Sequence, residues 1–137
     1  MTKNSPNNQR YVAAVGRRKE ATARVRLFAV KGKTSVNDLP IAEYFPGEGA
    51  KMLYEEPLKL TETSASYYAT IKVAGSGKMG QLGAVRHGLA RALAKSNPNF
   101  RSVLKKAGLL MRDQRTRERR KVGRGGKARR LKQSPKR

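Results

Sequence analysis

The sequence contains no cysteine, one histidine (His87), and nine acidic residues among 137. Without cysteine there is no disulfide framework, no thiolate nucleophile and no Cys-based zinc site, and a reducing compartment, the cytoplasm, is the expected setting. A single histidine cannot form a His-rich metal site, and a lone His on a helix reads first as a surface or packing residue. Nine acids and one His at these spacings assemble into no paired-carboxylate, Ser-His-Asp or metal constellation. No enzyme activity, cofactor or small-molecule substrate is therefore expected. No run of about 18 apolar residues occurs, so no membrane-spanning helix is encoded. Met1 to Arg10 is polar and Asn-rich, without the apolar or Arg-rich pattern of a targeting peptide, and reads as a short disordered extension, residues 1–10.

What is abundant is positive charge. Lys and Arg number 32 and the formal net charge is +23. Residues 112–137 hold 13 of these cations against Asp113 and Glu118, a net +11, and no aromatic follows Phe100. Such a segment repels itself unless phosphates neutralise it, and it lacks the apolar residues to fold alone. It reads as a basic extended tail on a globular body of residues 11–111. Stretched at roughly 3.3 Å per residue, 25 residues reach about 80 Å, far beyond the radius of gyration of about 13 Å for a globule of about 100 residues. Arginine dominates the tail, and its guanidinium fork matches phosphate oxygens, which favours nucleic acid over lipid head groups. Six of the seven acids before residue 112 lie between Asp38 and Glu62, and that stretch is expected to face away from the anion.

In the body, period-two alternation predicts two antiparallel strands, one from Tyr11 to Gly16 and one from Ala21 to Ala29, the second presenting Thr22, Arg24, Arg26 and Phe28 opposite its Ala and Val face. A short strand is predicted around Thr34 to Val36, a punctuating turn at Asn37-Asp38-Leu39-Pro40, and short helical turns from Ile41 to Tyr54 broken at Pro46-Gly47. Pro57 to Thr61 reads as a further strand and Tyr67 to Ala74 as a clearer one. A glycine-rich turn, Gly75 to Gly80, leads into a helix whose Leu82, Val85, Leu89, Ala92 and Leu93 share one stripe, with His87, Arg91 and Lys95 on a free far side. Asn97-Pro98-Asn99 ends it, and Phe100 to Leu110 reads as a last short helix. The aromatic residues beside these strands read as core or cross-strand packing rather than base-stacking platforms.

Gly75-Ser76-Gly77-Lys78-Met79-Gly80 matches G-x-G-x-x-G after a strand and before a helix. A ribose-binding acid is missing about 20 residues further on, and Gln81 stands where a P-loop needs Lys. A local phosphate site on exposed N–H groups beside Lys78 remains, alongside a purely structural turn or a nucleotide site. Gly16-Arg17-Arg18-Lys19 puts three cations at a strand corner. Taken alone this is a solvated turn, but Arg24 and Arg26 project from one face of the adjoining strand and extend it into a phosphate-tracking surface.

Gly16 to Val25 (GRRKEATARV), the Gly75 to Leu93 segment with Gly80-Gln81, Arg86 and Ala90-Arg91-Ala92-Leu93, then Leu109-Leu110, Arg112-Asp113, Arg119, Lys127-Ala128-Arg129 and Lys136-Arg137, together resemble the family of the ninth protein of the small ribosomal subunit. The likeness covers roughly residues 10–137. It departs at Ser76, at Ser134-Pro135 and at Glu20. The resemblance implies an α+β fold, a four-stranded sheet with two helices packed on one face like the second domain of ribosomal protein five, plus the C-terminal extension. It implies a structural role in the subunit head, supporting translation, with small-subunit ribosomal RNA, the peptidyl-site tRNA and neighbouring head proteins as partners. By position, Arg17, Arg18, Lys19, Arg24, Arg26, Lys78, Arg86, Arg91, Arg112, Arg115, Arg117, Arg119, Arg120, Lys121, Arg124, Lys127, Arg129 and Arg130 are expected to meet ribosomal RNA, and Ser134, Lys136 and Arg137 the tRNA. From charge alone the rival is a sequence-independent nucleic-acid-compacting protein or RNA chaperone.

Overall fold

In a computed structural model, which describes residues 10–117, 119 and 122, alternation along the central strand sorts its side chains. On β2 (Ala21–Phe28), Ala21, Ala23, Val25 and Leu27 are no more than 2% exposed, whereas Arg24 and Arg26 lie open on the other face. β2 pairs antiparallel with β1 (Val12–Arg18) on one side and with β5 (Tyr68–Ala74) on the other. Two-residue strands complete the sheet: β3 (Ser35–Val36) runs parallel to β5, and β4 (Leu39–Pro40) pairs antiparallel with β3, giving the order β1-β2-β5-β3-β4. Asn37 extends the β3 edge with its side chain, accepting the Val73 N–H at 2.9 Å and donating to the Val73 carbonyl at 3.0 Å.

One face of this sheet is covered by α3 (Lys78–Ser96), which buries Leu82, Val85, Leu89, Ala92 and Leu93, the stripe its 3.6-residue period predicts. The helix comes so close that backbone meets backbone. A Cβ on Gly16 would collide with the Ala84 carbonyl and the Gly88 amide, and one on Gly88 would sit 2.7 Å from Val25 Cγ2. Only glycine at both places permits that approach. α1 (Ile41–Tyr44) and α2 (Glu48–Leu60) follow β4, and α2 packs Tyr54 and Pro57 inward against α3. α4 (Pro98–Lys106) starts at Asn97, whose side chain accepts the Asn99 N–H at 3.1 Å, with Pro98 at the first helical position where its missing N–H costs nothing.

The α+β class agrees with expectation, and four details differ. The sheet has five strands, because Leu39–Pro40 pairs with β3, and there are four helices among the described residues. Pro57 to Leu60 is the last turn of α2, not a strand. Tyr54, Pro57 and Thr61 recur at helical spacing and are all buried, and that packing outweighs the helix penalty of proline. The glycine turn is shorter than expected, since Gly80 already lies in the first turns of α3. Finally, the far side of α3 is not free. Arg91 Nη1 donates to the Val15 carbonyl, Lys95 Nζ to the Ala13 carbonyl at 3.2 Å, and His87 Nδ1 accepts the Arg17 N–H at 3.2 Å. These three residues, four apart, pair with three outward backbone groups of edge strand β1 and blunt an edge that would otherwise template another chain.

The expectations for residues 1–9 and for Arg120, Lys121, Arg124, Lys127, Arg129, Arg130, Ser134, Lys136 and Arg137 lie outside the described residues.

The glycine crossing predicts opposite signs for two similar substitutions. Gly16→Ala overpacks against backbone that cannot turn aside and should cost about 3 kcal/mol, lowering Tm by roughly 10–20 °C. Gly49→Ala, in α2 with open space around it, should instead stabilise by about 0.5–1 kcal/mol. Thermal melts of the two variants check the contrast.

Candidate nucleic-acid interface

The β1–β2 hairpin turns on Lys19, whose φ of 52° is left-handed, and the turn sends the three adjacent cations in different directions. Arg17 pairs across from Thr22 and shares the helix-free face. Arg18 pairs across from buried Ala21, so it points to the helix side, where it lies over Gly83 of α3. A Cβ at Gly83 would strike the Arg18 side chain. Lys19 reaches past the first turns of α3, with Cδ 3.7 Å from where a Gly80 Cβ would stand.

The chain returns to this corner after α4. Arg112 Nη2 donates to the Lys19 carbonyl at 3.4 Å, and Asp113 accepts the Arg115 N–H at 3.0 Å and the Arg115 guanidinium at 2.8–3.2 Å. Asp113 Oδ2 also lies 3.6 Å from Arg18 Nε. The hydrogen bonds from Arg115, its charge and that of Arg18 hold the Asp113 carboxyl far below the usual carboxylate range. Sequence reasoning had not singled out Asp113 for this clamp. An acid two residues before the N–H it accepts is an Asx-turn signal, and that signal was available.

Between hairpin and returning chain opens a pocket of about 670 Å³ lined by Arg18, Lys19, Glu20, Ser76, Arg115, Thr116 and Arg117. Ser76 comes from the glycine turn, where Gly75 and Ser76 have φ of 86° and 54°. Gln81 fixes that turn by donating from Nε2 to the Gly75 carbonyl at 3.1 Å while its Oε1 accepts the Tyr44 hydroxyl at 2.6 Å. No side chain caps the N-terminus of α3, so its first N–H groups and dipole add to the positive potential beside the pocket. The arrangement offers guanidinium, ammonium and N–H donors to an anion with several oxygens, and it holds no proton-transfer pair.

Other expected residues are placed differently. Lys78 folds back on α1, its Nζ 3.5 Å from the centre of the Tyr44 ring and donating to the Tyr44 carbonyl at 3.3 Å. Arg86 pairs with Glu56 of α2, and Arg91 belongs to the β1 edge. Arg24 and Arg26 stand on the helix-free face, and Arg117 and Arg119 are exposed. The aromatic residues pack together as expected, Phe28 stacked on Tyr68 at 4.8 Å and Phe45 edge-on to Tyr44 at 4.8 Å.

Comparison with known proteins bears on this basic, non-catalytic surface. The family profile described as Ribosomal protein S9/S16 matches residues 16–137. The chain belongs to this family. Two curated relatives named small ribosomal subunit protein uS9, from Anaeromyxobacter sp. (strain K) and Anaeromyxobacter dehalogenans (strain 2CP-1 / ATCC BAA-258), are each 49% identical over 117 residues, covering 85% of this chain and 90% of theirs. As an S9-family protein the chain is a structural constituent of the small ribosomal subunit, serves translation and is not an enzyme. Its place of work is the ribosome, which in bacteria is cytoplasmic.

The single histidine of this S9-family chain is a structural joint. With Nδ1 accepting from Arg17, the proton sits on Nε2, which donates to the Leu110 carbonyl at 3.3 Å. Burial, opposed in part by the Leu110 contact and reinforced by the charges of Arg91 and Arg112, pushes the His87 pKa down. The unfolded chain therefore takes up a proton below about pH 6.5 that the folded chain refuses, and stability falls as pH drops through that window. The decrease in Tm from pH 7.5 to 5.5 should shrink in His87→Gln, which should also melt lower than the parent at pH 7.5. An unchanged pH dependence would contradict this role.

Proposed function

We propose that the body of this protein, residues 11–111, binds small-subunit ribosomal RNA by phosphate neutralisation and orients the basic arm, residues 112–137, whose end contacts the peptidyl-site tRNA. The observation that carries this reading is the convergence of Arg18, Lys19, Ser76, Arg115 and Arg117 on one open pocket beside an uncapped helix N-terminus. A donor set of this kind suits a phosphodiester, and phosphate contacts fix position without reading sequence. Arg17, Arg24 and Arg26 supply further contacts from the sheet. Lys78 joins them once it is released from Tyr44, and Arg86 and Arg91 act from positions where their aliphatic stems also support α3.

The Asp113 clamp gives the arm its starting direction. Arg112, Arg115, Arg117, Arg119, Arg120, Lys121, Arg124, Lys127, Arg129 and Arg130 then neutralise RNA as the arm threads between helices, and ordering is coupled to binding. Lys136 and Arg137, with Ser134, donate to tRNA phosphates and stabilise whichever tRNA is present. Neighbouring head proteins meet the body on its remaining surface.

High-salt sucrose gradients separate this reading from that of a loose nucleic-acid binder. The tagged chain should stay with the small-subunit peak, whereas a purely electrostatic binder with 6–10 phosphate contacts loses roughly 10³–10⁵ in affinity between 50 and 200 mM salt and moves to the top of the gradient. Deleting Lys136 and Arg137 should raise the dissociation rate of peptidyl-site tRNA by several-fold and leave subunit assembly intact. Equal off-rates in truncated and full-length ribosomes would refute the tRNA contact.

A further inference from the structure

Strand alternation divides the body's cations between two sides of one sheet. Arg18 and the corner pocket lie on the side that carries α3. Arg24 and Arg26 of β2 and Lys72 of β5 project from the other side, with Arg17 at its rim, and no helical residue lines the pocket of about 310 Å³ that Arg24, Arg26 and Lys72 share with Ser35, Asp38, Thr70 and Ile71.

This open side is built against its own electrostatics. Arg24 stands directly opposite Lys72 across the β2–β5 ladder, and Arg26 is two pairs further along, the next position on the same face. Like charges directly opposite one another destabilise a sheet. On the helix side two cations stand beside acids, Arg18 near Asp113 and Arg86 near Glu56. None of the ion pairs among the described residues involves Arg24, Arg26 or Lys72, and Asp38 is the one acid lining their pocket. Such a surface is stable in company with an external polyanion.

The rings beside these cations say which part of a nucleic acid it takes. Tyr11 tilts on Phe28 at 5.7 Å, Phe28 stacks on Tyr68 at 4.8 Å, and Arg26 lies over Tyr11 at 5.1 Å. The aromatic faces are engaged with each other and with Arg26, so the open side offers charge rather than a stacking platform.

We infer that the helix-free face of the sheet, through Arg24, Arg26 and Lys72, holds the phosphate backbone of a second RNA segment, so that the body bridges two segments across its sheet. The inference rests on the RNA-binding reading above and adds Lys72 and the two-sided arrangement to it. One surface alone would leave the protein lying against a single RNA face. Two separate surfaces, the corner pocket at the hairpin and the open sheet face, let it hold two segments at once.

The absence of cysteine makes the test clean, since one introduced thiol can carry an iron chelate that cleaves RNA nearby. Ala13→Cys places the probe on the open face beside Arg26, and Thr116→Cys places it in the corner pocket. In reconstituted small subunits the two full-length labelled chains should cut non-overlapping segments of ribosomal RNA. Bridging is overturned if the Ala13→Cys probe cuts no RNA while the Thr116→Cys probe does, or if both cut the same segment. If neither cuts, the RNA-binding reading itself fails. As a second measurement, the combined Arg24→Gln, Arg26→Gln and Lys72→Gln chain should show a slope of log K against log salt shallower by about 2–3 than the parent's. An unchanged slope would also overturn the inference.

Discussion

The contact on which the rest depends is the crossing of Gly16 and Gly88, where α3 lies on β1 with backbone against backbone. Because the helix sits so low, His87, Arg91 and Lys95 reach the outward edge of β1 and pair with three of its backbone groups. The same seating brings the first turn of α3 beside the β1–β2 hairpin and brings the Leu110 carbonyl, where the body ends, to the His87 ring. The corner pocket and the path of the returning chain therefore both follow from two missing side chains.

A chain of net charge +23 must also manage repulsion within its own fold. Three of its acids stand where cations have to pack: Asp113 between Arg18 and Arg115, Glu56 on Arg86, Glu55 on Lys59. Partly exposed pairs of this kind contribute modestly to stability individually; their effect is to fix where particular guanidinium groups point. Among the described cations that enter no ion pair, Arg24, Arg26 and Lys72 lie on the open sheet face and Arg112 and Arg117 along the returning chain. The core of alanine, valine and leucine between sheet and α3 sets the shape, while the unpaired charge stays on the surface.

Much of this was legible in the sequence, for identifiable reasons. β2 and β5 were readable because apolar and polar residues alternate along most of each strand, and α3 because its apolar stripe, Leu82 to Leu93, spans about three turns. The basic corner and the glycine turn were readable as a pair from their residue types. Two-residue strands such as Leu39–Pro40 carry no period to read, and Pro57 misled because local propensity argued against a helix that burial of Tyr54 and Thr61 maintains. The stripe of His87, Arg91 and Lys95 was visible as a stripe, but its partner, the edge of β1, is some 70 to 80 residues earlier in the chain. Lys78 and Arg86 were likewise placed by residues distant in sequence, Tyr44 and Glu56. No local pattern announces such pairings.

The central claim is that the body anchors and the arm follows. It is tested most directly by quantifying, by mass spectrometry of small subunits purified through high salt, the incorporation of two competing chains: residues 1–111 without the arm, and the full-length chain with Gly16→Leu, which keeps the arm and breaks the crossing. The account predicts that the armless chain is retained and the Gly16→Leu chain is depleted. Retention of Gly16→Leu together with loss of the armless chain would contradict it.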